Sequence, residues 1–371
     1  MGKKVCHMSS AHPPEDVRIF HKECVSLAQA GYEVYLVERG ESYDKKGVHI
    51  VGVGEMPGGR LKRMTKGARR VYEAALELDC DIYHFHDPEL LPYGLKLKKK
   101  GKRVIFDSHE LTRQQIRIKP YLPLLIGALI SNLYAMYENY VLARMDGVIF
   151  PCPINGVFPL PGKKRVFLNN VPRLTELYDK YDPDAVKEPD SVCTVGSLTE
   201  DRGIKEMILA VQKTGCKAIL AGAINPEFET ELRKIPGEGT LKFLGRINRE
   251  QVCDVYKQSV IGVSSILNVG QYDMAENLPT KVYECMAMGL PVILTRNPFN
   301  EKMIEKYRFG VCVDPKNIDE FANAISDLLE NPEKAQEMGK NGRKAVKELF
   351  NWELEQEKLF TLYEDINGSD R

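Results

Sequence analysis

The stretch MAENLPTKVYECMAMGLPVI, residues 274–293, places two acids, Glu276 and Glu284, eight positions apart around a helix start. Pro279 suits the first turn of a helix, where a missing N–H costs nothing. Gly289 suits its end, and Pro291 opens a buried strand. The run just upstream, Val260–Ser264, is itself β-branched and apolar. Strand, loop, helix and strand in this order make a parallel α/β unit, which binds ligands off the carboxyl ends of its strands. The amides of Asn277 to Thr280, Leu278 among them, would then carry partial positive charge suited to a phosphate. Glu276 and Glu284 cannot help there, but they can accept hydrogen bonds from the paired hydroxyls of a sugar. Lys281 either balances the acids or reaches a phosphate. The plain alternative is one acid favoured by the helix dipole and one surface glutamate; the whole constellation at a strand end argues for a ligand.

Outward from this unit the same alternation continues in both directions. Strands are expected at Lys4–Ser9, Glu33–Val37, His49–Val53, Ile82–Phe85, Arg103–Asp107 and Gly147–Pro151. A second series follows at Val192–Gly196, Lys217–Ala221, Leu241–Leu244, Val260–Ser264, Pro291–Thr295 and Gly310–Val313. Helical periodicity fills the gaps, as over Ile204–Lys213 and Asn317–Leu329. Between the series, Leu174–Asp190 is polar and proline-punctuated and reads as a linker. The fold class is therefore α/β, two Rossmann-like parallel-sheet domains facing a central cleft. The expected bounds are 1–185, 186–352, and a C-terminal helix over 353–371 that crosses back to the first domain.

Bulk properties narrow the function. Lys+Arg and Asp+Glu both total 52, so no charge excess points to nucleic acid. The nine cysteines are odd in number and scattered without a Cys-x-x-Cys pair, which argues for buried thiols in a reducing compartment. No signal peptide is visible, and the apolar run Tyr121–Tyr137 is interrupted and too short to span a bilayer. A cytoplasmic protein is expected. The segment VGVGEMPGG lacks the third glycine of a dinucleotide fingerprint, and the Asp-x-Asp triplets at 79–81 and 182–184 fall at a helix end and in the linker.

The opening stretch resembles the retaining family-four glycosyltransferases, in the form E-N-x-P-x-K-x-x-E, and the likeness covers nearly the whole chain. It implies GT-B architecture, a nucleotide-sugar donor on the second domain, and transfer to an acceptor hydroxyl with retention of configuration; the basic patch at 60–70 suggests a glycan or lipid-linked acceptor, with a small molecule as the alternative. It implies that Glu276 contacts the donor sugar and Glu284 the nucleotide ribose. TVGSLTEDRGIKEMILAV, residues 194–211, matches the family's phosphate-binding segment, with Gly196-Ser197 and Arg202-Gly203 in the motif positions. Arg202 can fork onto a diphosphate. Ser197 stands where many relatives have a second arginine, so that contact is either missing or supplied by Lys205 or Lys281. KFLGRINREQVCDVY, residues 242–256, resembles the base-holding segment, through the backbone of Gly245, Arg246 and Ile247.

All seven histidines precede residue 110. IYHFHDPELL sets His86 and Asp87, and VIFDSHEL sets His109 and Glu110, where strand gives way to helix. The His-x-His-Asp spacing permits a metal site, yet bonding to neighbouring backbone is the commoner role for such side chains. The resemblance implies that His109 faces the donor sugar, which makes it catalytic together with Glu276. Arg18, His86, Asp87 and Glu110 are acceptor-side candidates. Arg18 either pairs with acceptor or phosphate or makes a surface ion pair. No cofactor and no metal are expected, since fixed cations can neutralise the leaving group. Two rivals remain open: a non-hydrolysing sugar-nucleotide 2-epimerase of the same architecture, and a silent nucleotide-sugar-binding partner. Finally, RLKRMTKGARR, residues 60–70, has six basic residues over eleven positions. It suggests peripheral contact with an anionic membrane, or simply a solvated helix face.

Overall fold

A computed structural model describes residues 3–56, 58–109, 112–117, 123–152, 164–236, 239–269 and 276–368. The β-branched runs of the first half form β1 (Lys4–Met8), β2 (Glu33–Glu38), β3 (Tyr43–Lys45), β4 (Val48–Gly52), β5 (Ile82–Phe85), β6 (Arg103–Asp107), β7 (Gly147–Phe150) and β8 (Lys164–Phe167). They build one eight-stranded sheet in the order β3-β4-β2-β1-β5-β6-β7-β8. Every pairing is parallel except that of β3 with β4. β3, Tyr-Asp-Lys, and β8 lack the apolar runs that announce the other strands, and sequence periodicity does not find them.

The second series forms β9 (Ser191–Val195), β10 (Lys217–Ala221), β11 (Leu241–Gly245), β12 (Ile261–Ser264), β13 (Val292–Thr295) and β14 (Gly310–Val313). This sheet is parallel throughout, in the order β11-β10-β9-β12-β13-β14. Helices cover both faces, which is why its strands are buried on both sides and read as continuous apolar runs. In each sheet the strand order reverses once, between β1 and β5 and between β9 and β12. Loops leaving the carboxyl ends there diverge and open a crevice.

The chain divides into residues 1–170 with 355–371, and residues 171–354. The expected boundary near 185 falls inside the second unit, and the segment from 174 is not a free linker. Val171 and Leu177 are fully buried in the second unit's core. Arg343 stacks its guanidinium 3.9 Å from the Tyr178 ring and 4.0 Å from that of Tyr181. Four apolar side chains within an otherwise polar stretch, Leu174, Leu177, Tyr178 and Tyr181, fasten it. The helix Trp352–Gly368 leads back to the first unit, where Tyr363 is fully buried. All nine cysteines are free thiols, and eight are buried. Among the described residues, no helix is long and apolar enough to cross a membrane.

Candidate active site

Three neighbouring strands of the second unit end in glycines with positive φ: Gly196 (124°) after β9, Gly222 (147°) after β10, and Gly245 (63°) closing β11. They are laced together, Gly196 N donating to Ala221 O at 2.9 Å and Gly222 N to Gly245 O at 2.7 Å. A Cβ at Gly222 would collide with the Gly196 carbonyl. The carboxyl edge of these strands is thus a floor of bare backbone, which lets a phosphate or flat ring approach closely. Next to it, Gly203 (φ 64°) lies so near β12's exit that an added Cβ would overlap the Ser265 carbonyl. Ser265 Oγ donates to the carbonyls of Arg202 (3.1 Å) and Gly203 (3.0 Å), and Leu267 N donates to Asp201 O at 2.9 Å. These bonds fix the backbone that carries Arg202 across the β9/β12 switch point.

The helix Thr280–Ala287 begins after Pro279, which takes the capping position rather than the first turn, and ends at Gly289 in the left-handed conformation. Lys281 is buried and donates to Thr194 Oγ1 at 3.1 Å; a Cβ on Gly196 would lie 3.8 Å from its ammonium. Burial first, and then the like charge of Arg202, push its pKa down to about 8. Two cations therefore meet at the glycine floor. Glu284, one turn on, is buried too; it accepts from Tyr256 Oη at 2.8 Å and pairs with Arg249 at 2.7 Å. Each carboxylate oxygen keeps a second lone pair. Glu276 and Asn277 lie half-buried on the loop before this helix, Asn277 Oδ1 accepting from Tyr283 Oη at 2.8 Å, while Leu278 is a core side chain. Ser197 and Arg246 stand exposed next to Gly196 and Gly245, and Ile247 packs on the core. Lys205 points elsewhere, to Glu231 at 2.6 Å, so of the two lysines Lys281 is the one at the floor.

The first unit gathers its histidines at the other switch point. Register sets His7 of β1 beside His84 of β5, and their rings lie 4.4 Å apart. From the surface inward, His109 Nε2 is 3.0 Å from His86 Nδ1, His86 Nε2 is 3.0 Å from His7 Nδ1, and Tyr363 Oη bridges His7 (3.3 Å) and His84 (2.9 Å). Asp107, at the end of β6, accepts from His109 Nε2 at 3.0 Å and faces His86 at 3.3 Å. Burial works against its charge, yet the Arg18 guanidinium and then His109 hold its carboxyl well below the usual range. Arg18 is 3% exposed and wholly engaged, with Nη2 to Asp107 at 2.8 Å, Nε to Glu23 at 3.0 Å and Nη1 to Leu168 O at 2.9 Å. Neither the acceptor-side nor the surface reading of Arg18 survives, because Asp16 caps a π-helical segment, Val17–Cys24, that turns it into the core.

Asp87 closes the loop after β1, Oδ2 accepting from Ser10 N (2.6 Å), Ala11 N (3.2 Å) and Ser9 Oγ (3.1 Å), while Oδ1 meets His12 at 3.0 Å. Burial opposes its ionisation, but His12 and these donors bring its pKa down to about 2. His12, His86, Asp87 and His109 line one side of a pocket of about 400 Å³; Arg63, Met64, Gln115, Ile116 and Tyr134 line the other. Glu110 lies outside the described residues.

Residues 18–155 match the family described as Glycosyltransferase Family 4, and residues 179–345 match the family described as Glycosyl transferases group 1. The chain belongs to the family 4 glycosyltransferases. D-rhamnosyltransferase WbpZ of Pseudomonas aeruginosa is 23% identical over 293 residues, 75% of this chain and 71% of that protein. Alpha-D-kanosaminyltransferase of Streptomyces kanamyceticus is 24% identical over 52% of this chain and 50% of its own length. Spore coat protein SA of Bacillus subtilis is 36% identical over 83 residues, 22% of each chain. The chain thus spans half or less of the length of these last two relatives. In fold, sucrose-phosphate synthase of Thermosynechococcus elongatus superposes with a TM-score of 0.80 at 18% identity, over 99% of this chain and 100% of its own. HepE of Anabaena superposes at 0.71 and 13% identity, over 98% and 99%.

Among the described residues of this glycosyltransferase, two groups bring metal-ligating atoms within 4.8 Å of one another: His7, Glu23, His84 and His86, and His86, Asp107 and His109. Their chemistry fits a hydrogen-bond network better than an ion. The imidazoles already serve one another, and the Arg18 guanidinium between Glu23 and Asp107 would repel a dication. Burial and then the charge of Asp107 push the Glu23 carboxyl well up. In this network Asp107→Asn removes the carboxylate paired with Arg18 Nη2 and leaves only the buried Glu23 to balance it, and equilibrium denaturation should show a loss of about 3–5 kcal/mol. In the second unit Gly222→Ala forces the glycine floor apart; urea midpoints should fall by the equivalent of about 2 kcal/mol or more.

Sequence reading missed His12, Asp107 and Arg249. The first two have a signal, a polar residue within a few positions of a strand's carboxyl end. Arg249 has none, since only packing brings its helix, Arg249–Gln258, against Glu284.

Proposed function

We propose that the protein transfers a sugar from a nucleotide-sugar donor to an acceptor hydroxyl with retention of anomeric configuration, in the assembly of a surface glycan or glycolipid. The observation that carries this reading is the meeting of Arg202 and Lys281 at a side-chain-free strand edge, with Glu276 on the loop before the same helix. Two fixed cations suit the diphosphate leaving group, whose charge grows in the transition state. We infer that they make a metal ion unnecessary there. Glu276 orients the sugar, Glu284 offers its free lone pairs to the ribose, and the backbone of Gly245 to Ile247 holds the base. The acceptor enters the first unit's pocket, where His109 is the imidazole that the family resemblance sets against the transferred sugar. HepE has been crystallised with UDP and with UDP-glucose, which makes a UDP-sugar the first donor to try.

The test is a thermal-shift screen against UDP-, GDP- and ADP-sugars, followed by product analysis. A true donor raises the midpoint by mass action, about 2.7 kcal/mol of added stability at a hundredfold excess over Kd. Transfer to an added acceptor, with no epimer formed from donor alone, is the expected outcome. A full panel without a shift sinks the reading.

A further inference from the structure

We propose that the first unit docks on a bilayer containing anionic lipid, through the helix Leu124–Leu142 and the basic segment 61–66, and that the acceptor is a glycan carried on a membrane-embedded lipid. The acceptor half of this inference rests on the transferase reading above; the docking half stands on the surface alone.

The helix is amphipathic in an unusual sense. Its inner face packs on the first unit, and its outer face is apolar as well: Leu125 is 87% exposed, Leu129 59%, Leu133 57%, Met136 70% and Tyr140 52%. Spacings of four, four, three and four put these side chains in one stripe. The helix contains a single charged residue, Glu138, and that side chain is turned inward onto Arg113 (2.6 Å) and Tyr134 Oη (3.0 Å). From Leu125 to Tyr140 the stripe runs about 22 Å along the helix, far more apolar surface than scattered exposed leucines leave on a monomer. Since no described helix is long and apolar enough to cross a membrane, this one would lie in the plane of the interface.

The border of the stripe says what covers it. At one end Arg144 sets its guanidinium 3.5 Å over the Tyr140 ring; the neighbouring helix, Thr112–Arg117, ends in exposed Arg117. Segment 61–66 repeats the pattern in small, with Leu61 75% and Met64 38% exposed beside exposed Lys62 and Lys66. A second copy of the chain packed symmetrically on this face would set basic rim against basic rim. An anionic bilayer accepts both parts, acyl chains for the stripe and headgroups for the rim. Placement links the surface to the chemistry. Arg63 and Met64 from one docking element and Tyr134 from the other line the same pocket as His86 and His109. An acceptor anchored in that bilayer would therefore meet the histidine pocket at its mouth.

The experiment is flotation of the full chain with vesicles of phosphatidylcholine, with and without phosphatidylglycerol, alongside light scattering and the midpoint shift given by UDP. Wild type should float with the phosphatidylglycerol vesicles. The pair Leu129→Glu and Leu133→Glu should abolish flotation, and Lys62→Glu with Lys66→Glu should weaken it at least about tenfold, for the anionic vesicles only. Both pairs should keep the wild-type UDP shift, which reports a folded second unit. Wild type staying with the soluble fraction, or the Leu129/Leu133 pair floating undiminished, overturns the docking. So does a wild-type dimer that this pair converts to monomer. Flotation without any nucleotide shift would sink the transferase reading and the lipid-linked acceptor, and would leave the docking surface in place.

Discussion

Replacing Glu276 with alanine is expected to abolish sugar transfer, by about a thousandfold or more in kcat, while the Kd for the nucleoside diphosphate stays within about twofold. The carboxylate sits on the loop before the helix Thr280–Ala287, in the unit that holds both cations proposed for the diphosphate but not on the glycine floor itself. Its proposed partners are hydroxyls of the donor sugar, which a nucleoside diphosphate lacks. Binding by calorimetry and turnover with the full donor separate the two effects. Glu276→Gln should recover part of the rate, since an amide oxygen still accepts a hydrogen bond. Equal losses in diphosphate affinity and in rate would show that the residue acts on the phosphate end or on the fold, and normal turnover would remove Glu276 from the site.

Lys281→Met is expected to act in opposite directions on binding and on stability. Loss of a buried charge-assisted donor should weaken nucleoside diphosphate binding by about 10–150-fold near neutral pH. The apoprotein should nonetheless become more stable by about 1–2 kcal/mol, because the ammonium is buried and lies beside the like charge of Arg202. A pH series makes the assignment sharper. With the free-state pKa at about 8, the proposed contact to the diphosphate should need protonated Lys281. Affinity should be flat below that value and fall toward tenfold per unit above it. Lys281→Met should erase this limb. Arg202→Ala should shift it to higher pH, because removing the neighbouring charge lets Lys281 hold its proton longer. A pH-independent wild type, or a methionine variant with unchanged affinity, would place the diphosphate elsewhere.

The α/β class, most strands and the order of the elements follow from local pattern, since a β-branched run buried on both faces looks the same wherever its neighbours lie. The second unit's site was readable in the same way. Gly196 directly follows β9, and Arg202, Glu276 and Lys281 lie in the loop-to-helix segments that follow β9 and β12, where a strand–loop–helix unit sets which residues emerge at the carboxyl edge. The first unit was less legible. Arg18, His86 and Asp87 follow strands in the sequence at places that suit a ligand, yet all three are tied into the protein's own network, Arg18 to Asp107, His86 to His7 and His109, and Asp87 to the backbone of residues 10 and 11.

By itself, then, the sequence determined which segments become strands and which loops carry charge to the carboxyl edge of each sheet. Only the tertiary structure decided that Gly222 joins Gly196 and Gly245 in one floor, that Lys281 rather than Lys205 reaches it, that Arg249 and Tyr256 hold Glu284, and that an apolar helix keeps one face uncovered. The reason is range. Periodicity and turn chemistry act over a few residues, whereas these contacts join positions 23 to 87 residues apart. Strand order and packing alone bring them together.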